Sequence, residues 1–207
     1  MTARIAVLVS GGGTNLQALL DAQQKGILVS GRVVLVVSTR EDAYALTRAR
    51  QAGVKAVAFP RKTMGAAAFE KETLALLAQE GIDLIILAGF LSILSPSFVR
   101  QYENRIINVH PALIPAFSGK GYYGLKVHEE ALKRGVAITG ATVHLVNEEA
   151  DGGPILLQKA VRVKKNDTPQ SLQKRVMEQA EWVLLPKAAE SMSKKICTEK
   201  EKQHVPQ

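Results

Sequence analysis

Ile5-Ala6-Val7-Leu8-Val9-Ser10-Gly11-Gly12-Gly13-Thr14-Asn15-Leu16 is the stretch on which the fold turns. Its first half is apolar at every position, not at alternate ones, as a parallel strand covered on both faces requires. Three glycines follow, and then a helix-like segment at 16–24. Glycines let the backbone turn tightly and approach a ligand. A helix starting there presents unpaired N–H groups and the positive end of its dipole, which together bind phosphate. Gly11 and Gly13 fit the dinucleotide spacing G-x-G-x-x-G, but Leu16 stands at the third glycine position, and no Gly-Lys-Ser/Thr P-loop is present. The ligand expected here is a mononucleotide phosphate; the structural alternative is a plain tight turn.

Outward from this join the pattern repeats. Runs at 32–38, 56–59, 84–88 and 106–110 also read as buried strands, and amphipathic stretches at 42–52, 66–80, 96–102 and 125–134 lie between and after them. Thr14 is placed to cap the first helix and Asp42 to start the second; Gly53 and Gly81 fall just past helix ends. Ser95-Pro96 reads as an N-cap with proline at the first helical position. Strand and helix in alternation mean an α/β fold: a single doubly wound, mostly parallel, Rossmann-like sheet flanked by helices. The rhythm then changes. Residues 138–146 partly alternate, with Thr142, His144 and Val146 on one side; a turn at 148–154 leads into a second run at 155–163. This is an appended antiparallel hairpin. A final long helix starts at Thr168-Pro169 with an apolar stripe at Leu172, Val176, Ala180, Val183 and Leu184, and Pro186 is expected to kink or end it. From Ser193 onward the chain is polar and charged, which reads as a frayed, disordered tail. The expected organisation is one domain at 1–192 and a tail at 193–207.

Composition narrows the function classes. The 207 residues are 46% apolar and 22% charged, ordinary for a globular protein. That excludes a disordered, collagen-like or disulfide-scaffold chain. No apolar stretch reaches the roughly 18 residues of a membrane span, and the N-terminus does not read as a signal peptide. The single cysteine, Cys197, points to a reducing, cytoplasmic setting. A net charge of +8 favours an anionic partner. The basic residues are scattered and never run longer than pairs, so small anionic molecules fit better than nucleic acid or a membrane surface.

Two further segments carry chemistry. In Asn108-Val109-His110-Pro111-Ala112-Leu113-Ile114-Pro115, Asn108 and His110 share one side of a strand near its carboxyl end, where open α/β sheets bind ligands. An amide donor beside an imidazole suits a reaction that develops negative charge on oxygen. The same pair could instead satisfy buried backbone groups. In Glu148-Glu149-Ala150-Asp151-Gly152-Gly153-Pro154, a Gly-Pro turn is the simplest reading, and Asp151 gains interest only if it reaches His110, whose pKa it would raise. His110, His128, His144 and Asp151 match no zinc spacing, so no metal is expected. Cys197 lacks an activating arrangement, and His204 falls in the tail.

Taken in order, the Ser10-to-Leu16 segment, Ala88-Gly89-Phe90-Leu91-Ser92-Ile93-Leu94-Ser95-Pro96, the Asn108-to-Pro115 segment, Gly140-Ala141-Thr142-Val143-His144 and Asp151-Gly152-Gly153-Pro154 resemble the glycinamide ribonucleotide formyltransferase family of purine biosynthesis. The resemblance covers about residues 3 to 190. It implies direct transfer of a formyl group from N10-formyltetrahydrofolate to the amine of glycinamide ribonucleotide, through a tetrahedral intermediate and without a metal. It implies Asn108, His110 and Asp151 as the catalytic trio, with Asp151 keeping His110 protonated. Gly13, Thr14 and Asn15 would hold the ribonucleotide phosphate, and Glu181 is a further ribonucleotide candidate. Leu91, Ser92, Ile93, Leu94 and Asn108 would line the folate pocket, with the backbone of 147–151 facing the folate as well. Many relatives carry arginine at Ser92 and before the helix beginning near Ala66; Arg61 or Lys62 are the replacements offered here. The segment 117–126, with its three glycines and two tyrosines, reads as a lid or a rigid surface loop. Another amine acceptor, such as an amino sugar, and a non-catalytic mononucleotide-binding module are the competing readings.

Overall fold

The computed structural model describes residues 2–203. One mixed sheet runs through the molecule, built from β1 (Ala3–Val9), β2 (Gly31–Ser38), β3 (Lys55–Ala58), β4 (Leu84–Leu87), β5 (Ile106–His110), β6 (Ile138–Leu145) and β7 (Ile155–Arg162). The spatial order is β3-β2-β1-β4-β5-β6-β7. The first five are parallel; β6 runs antiparallel to β5, and β7 antiparallel to β6. The helices are α1 (Thr14–Gln24), α2 (Tyr44–Gln51), α3 (Arg61–Met64), α4 (Ala66–Gln79), α5 (Pro96–Gln101), α6 (Leu125–Arg134), α7 (Pro169–Val176) and α8 (Trp182–Gln203). The doubly wound fold and the appended hairpin are those expected. α3 was not expected, because a single turn is too short for periodicity to register.

β1 shows why its residues are apolar throughout. Ala3, Ile5, Val7 and Val9 face one core with α1 and α8, while Ala6 and Leu8 face a second core with α4 and α5. Each fully buried aliphatic side chain is worth about 1.5–3 kcal/mol, so the central strand is anchored from both sides. The chain reverses winding between β2, on one flank of β1, and β4, on the other. The crevice at that switch point lies beyond the carboxyl ends of the strands, where such sheets take ligands.

The helix starts are partly as expected. Ser95 accepts a hydrogen bond from the Phe98 N–H, and Thr168 forms a capping box with Ser171, each with proline behind it. Thr14 is not a cap: it is the first helical residue, and Gly13 occupies the cap position with φ +73° and no side-chain bond. A Cβ at Gly13 would lie 2.6 Å from the Ala45 Cβ, so glycine is needed for both conformation and space. Asp42 does not start α2 either; it pairs with Arg40, and Ala43 precedes the helix.

The C-terminal region departs most from expectation. α7 passes through a π-helical turn, Met177–Glu181, into α8. Buried positions recur at Leu172, Val176, Ala180, Leu184, Ala188, Met192 and Ile196, a spacing of four. An α-helix turns every 3.6 residues, so a four-residue stripe drifts by about 40° per step. The wider π turn takes up part of that drift and keeps both halves facing the sheet. Pro186 neither ends nor breaks the helix; it lies one turn into α8, where the hydrogen-bond ladder has just changed register. Residues from Ser193 do not form a disordered tail. Ser193, Ile196 and Cys197 are buried, and Lys200 reaches Asp83 at 2.5 Å. Glu190 receives the Val29 and Ser30 N–H groups at 2.8 Å each. The helix reaches Gln203; the rest of the expected tail, with His204, lies outside the described residues.

Candidate active site

The cleft lies at the carboxyl ends of β1, β4 and β5, has a volume of about 430 Å³, and brings the sequence-derived segments together. β5 ends in Asn108 and His110. Antiparallel pairing sets His144 of β6 opposite Asn108 and Thr142 opposite His110. The turn after β6 folds back over the strand ends and delivers Asp151 at φ +55°, a left-handed conformation that aspartate tolerates better than most residues. The turn packs so tightly that a Cβ on Gly153 would lie 1.8 Å from the Leu145 carbonyl oxygen.

Asp151 reaches both His110 and Asn108. Its Oδ2 stands 3.4 Å from His110 Nδ1, and its Oδ1 stands 3.4 Å from His144 Nε2 and 3.5 Å from Asn108 Nδ2. The Gly119 N–H donates to Oδ2 at 2.9 Å. Burial would raise the Asp151 pKa, but His144, His110 and the Gly119 N–H together hold it below the usual carboxylate value. His110 Nε2 lies 2.8 Å from the Phe117 carbonyl oxygen, which can only accept, so the proton belongs on Nε2. Nδ1 is then the atom open to a proton. Burial drives the His110 pKa down, and the charge of Asp151 and the Phe117 carbonyl only partly oppose it. The expectation that Asp151 keeps His110 protonated is therefore corrected: desolvation outweighs the carboxylate, and the resting imidazole is biased toward neutral.

His144 orders Asn108. Its Nδ1 lies 2.8 Å from the Leu145 carbonyl oxygen and donates to it, and its Nε2 lies between Asn108 Nδ2 at 3.2 Å and Asp151 Oδ1 at 3.4 Å. Asn108 Nδ2 also lies 3.5 Å from Asp151 Oδ1, a long and weak contact.

The two flanks of the cleft differ in character. On one, Leu91 and Ile93 stand 62% and 65% exposed, unusual for large apolar side chains, with Ser92 and Leu94 beside them. The backbone of residues 147–151 faces the same space. On the other flank, Thr14 and Asn15 line the cleft at the start of α1. Gly13 does not line it, and its side of the loop packs on α2. Glu181, carried in by the π turn, is buried and accepts from Asn15 Nδ2 at 2.7 Å. Burial raises its pKa to about 7, with Asn15 opposing. Lys62 stands exposed on α3, outside the cleft lining. Residues 119–124 form the rim, and the segment is rooted by Phe117 on His110 and by Gly119 on Asp151.

Sequence reading missed several of these groups. The sequence places His144 in a strand and in a segment of the family resemblance but gives it no role; pairing the hairpin against 106–110 sets it beside Asn108. His128 lies in the cleft wall, fully buried, with neither ring nitrogen hydrogen-bonded. Burial and the neighbouring His110 lower its pKa to about 4. Among the described residues no cluster of three or more His, Cys, Asp or Glu side chains is arranged to hold a metal ion.

A doubly wound sheet with an amide, an imidazole and a carboxylate converging at its switch-point crevice is the architecture of a group-transfer enzyme. Residues 3–188 match the formyl transferase family, and the chain belongs to it. Phosphoribosylglycinamide formyltransferase of Haemophilus influenzae is 38% identical over 184 residues, covering 88% of this chain and 84% of that protein. The chloroplastic enzyme of Arabidopsis thaliana is 42% identical over 176 residues, or 84% of this chain. The chain spans 60% of that plant relative and 18% of the bovine trifunctional purine biosynthetic protein adenosine-3, which it matches at 40% identity. The crystal structure of glycinamide ribonucleotide transformylase 1 from Symbiobacterium toebii superposes with a TM-score of 0.86 at 40% identity, covering 93% of this chain and 88% of that one.

Proposed function

We propose that this chain transfers the formyl group of N10-formyltetrahydrofolate to the amine of glycinamide ribonucleotide, a step of purine biosynthesis. The observation that carries the reading is the convergence of Asn108, His110 and Asp151 between an apolar wall and a helix N-terminus. The exposed Leu91 and Ile93 fit a flat heteroaromatic ring. The free N–H groups of α1, which no side chain caps, fit a phosphate. Glu181 and Asn15 beside them supply a hydrogen-bonding pair for the rest of the ribonucleotide. Lys62 is not needed for this reading. The single cysteine, Cys197, supports a reducing, cytoplasmic setting.

The chemistry follows from the hydrogen-bond pattern. The neutral amine attacks the formyl carbon, giving an oxyanion and a protonated amine nitrogen. The Asn108 amide, whose contact with Asp151 is long, turns a hydrogen toward the oxyanion and stabilises it. His110, neutral at rest, takes the amine proton on Nδ1, and Asp151 stabilises the imidazolium so formed. Collapse of the intermediate returns that proton to the departing folate nitrogen, and no proton is gained or lost overall. Incubation with formylfolate and glycinamide ribonucleotide tests the reading: deformylated folate should appear only when the amine is present. Formyl loss without the amine would mark a hydrolase and refute it.

A further inference from the structure

We propose that Ser10 and Glu70 are positioning residues that clamp residues 91–95 at both ends and so set the shape of the folate-facing wall. The proposal rests on the functional reading above, which places folate against that wall. Residues 91–95 form the second half of the connection from β4 to α5, without regular structure, yet present large apolar side chains to the cleft. Left to itself, such a segment would fold Leu91 and Ile93 back onto the apolar cluster beneath, where Phe90 already packs and Leu94 is buried.

Side chains from two other elements prevent this. At the leading end, the Leu91 N–H donates to Ser10 Oγ at 3.1 Å, and Ser10 Oγ also accepts from Thr39 Oγ1 at 2.9 Å. At the trailing end, the Ser95 N–H donates to Glu70 Oε1 at 2.9 Å, and the Ser95 hydroxyl donates to Glu70 Oε2. Glu70 lies on α4, and neither it nor Ser10 lines the cleft. Ser95 is itself the cap of α5, so Glu70 ties the wall to a helix start that is already fixed. With both ends pinned, the wall is formed before the ligand arrives, and binding loses less to ordering. Ser10 immediately precedes the glycine-rich loop, so the clamp is part of the same strand end that presents α1.

Steady-state kinetics with each substrate varied in turn tests the clamp. Glu70→Ala and Ser10→Ala should each raise the KM for formylfolate roughly 10-fold, with the ribonucleotide KM and kcat little changed. Glu70→Gln, which still accepts from the Ser95 N–H, should recover most of the loss. If Glu70→Ala does not fold, Ser10→Ala and Glu70→Gln carry the test through calorimetric titration with folic acid. Equal increases in both KM values, or a fall in thermal stability with no change in formylfolate KM, would overturn the clamp while leaving the functional reading intact. Wild-type protein that transfers no formyl group overturns the functional reading instead.

Discussion

Replacing Glu181 with glutamine should make the protein more stable above neutral pH while weakening ribonucleotide binding. The Glu181 carboxyl is buried beneath α1, and its pKa rises from 4.5 to about 7. At about 1.4 kcal/mol per pH unit, that gap corresponds to about 3 kcal/mol. The sign is fixed by where the proton is held more tightly. The folded state binds it more strongly than the unfolded chain, so the contribution is fully present below pH 4.5 and is lost as pH rises through 7. Glutamine has the shape of the protonated acid, still accepts from Asn15 Nδ2, and brings a donor toward Asn15 Oδ1, which is buried without a partner. It never ionises. Urea denaturation at pH 4.5 and pH 8 should therefore find the two proteins alike at the lower pH and the variant ahead by about 3 kcal/mol at the higher. For a chain of this size that is a rise in Tm of roughly 6–12 °C. Comparing variant with parent cancels every other titrating group. A variant no more stable than the parent at pH 8 would refute the burial argument; unchanged ribonucleotide affinity would remove Glu181 from the substrate site.

Three further outcomes follow from the same geometry. Asp151→Asn keeps a residue that tolerates φ +55° but removes the charge that opposes desolvation of His110; an NMR titration should place His110 lower than in the parent, and an upward move would exclude the pairing. Ending the chain after Met192 removes buried Ser193, Ile196 and Cys197 and leaves buried Asp83 without Lys200; denaturation should show a loss of about 3–5 kcal/mol, whereas unchanged stability would mean that the helix end is dispensable. His128→Leu replaces a buried imidazole that has no hydrogen bond with an apolar group of similar size, and should stabilise by about 1–2 kcal/mol in calorimetry; a loss would show that His128 has a partner in solution.

What could be read from the sequence follows from what leaves a periodic or local mark. The parallel strands were legible because continuous apolar runs such as 84–87 have no other economical explanation, and Ser95-Pro96 and Thr168-Pro169 were legible as starts because capping is local chemistry. α3 is a single turn and left no trace. The region beyond Ser193 was misread because its buried residues continue a four-residue spacing that fits no straight α-helix, and only the π turn reconciles it with the sheet. In the site, Asn108 and His110 were legible from spacing two on a strand. Asp151 needed the resemblance, since nothing in a Gly-Pro turn reports what lies across the cleft. The partners of His110 and Asp151 on the rim are a backbone carbonyl and a backbone N–H, at Phe117 and Gly119, and such groups have no sequence signature. The neutral bias of His110 was likewise hidden, because charge partners can be guessed from residue types but burial is a property of the assembled fold.

In the proposed reaction the Asn108–His110–Asp151 cleft passes a formyl group directly from folate to the ribonucleotide amine. A single-turnover experiment with ¹³C-formyl-labelled N10-formyltetrahydrofolate tests it most directly, following the label by NMR in wild-type and Asn108→Ala protein saturated with glycinamide ribonucleotide. The wild-type label should move wholly onto the amine, and the variant should bind both substrates but transfer the label roughly 10²–10³ times more slowly, as loss of one oxyanion donor requires. Label released as free formate, or transfer at the wild-type rate by Asn108→Ala, would contradict it.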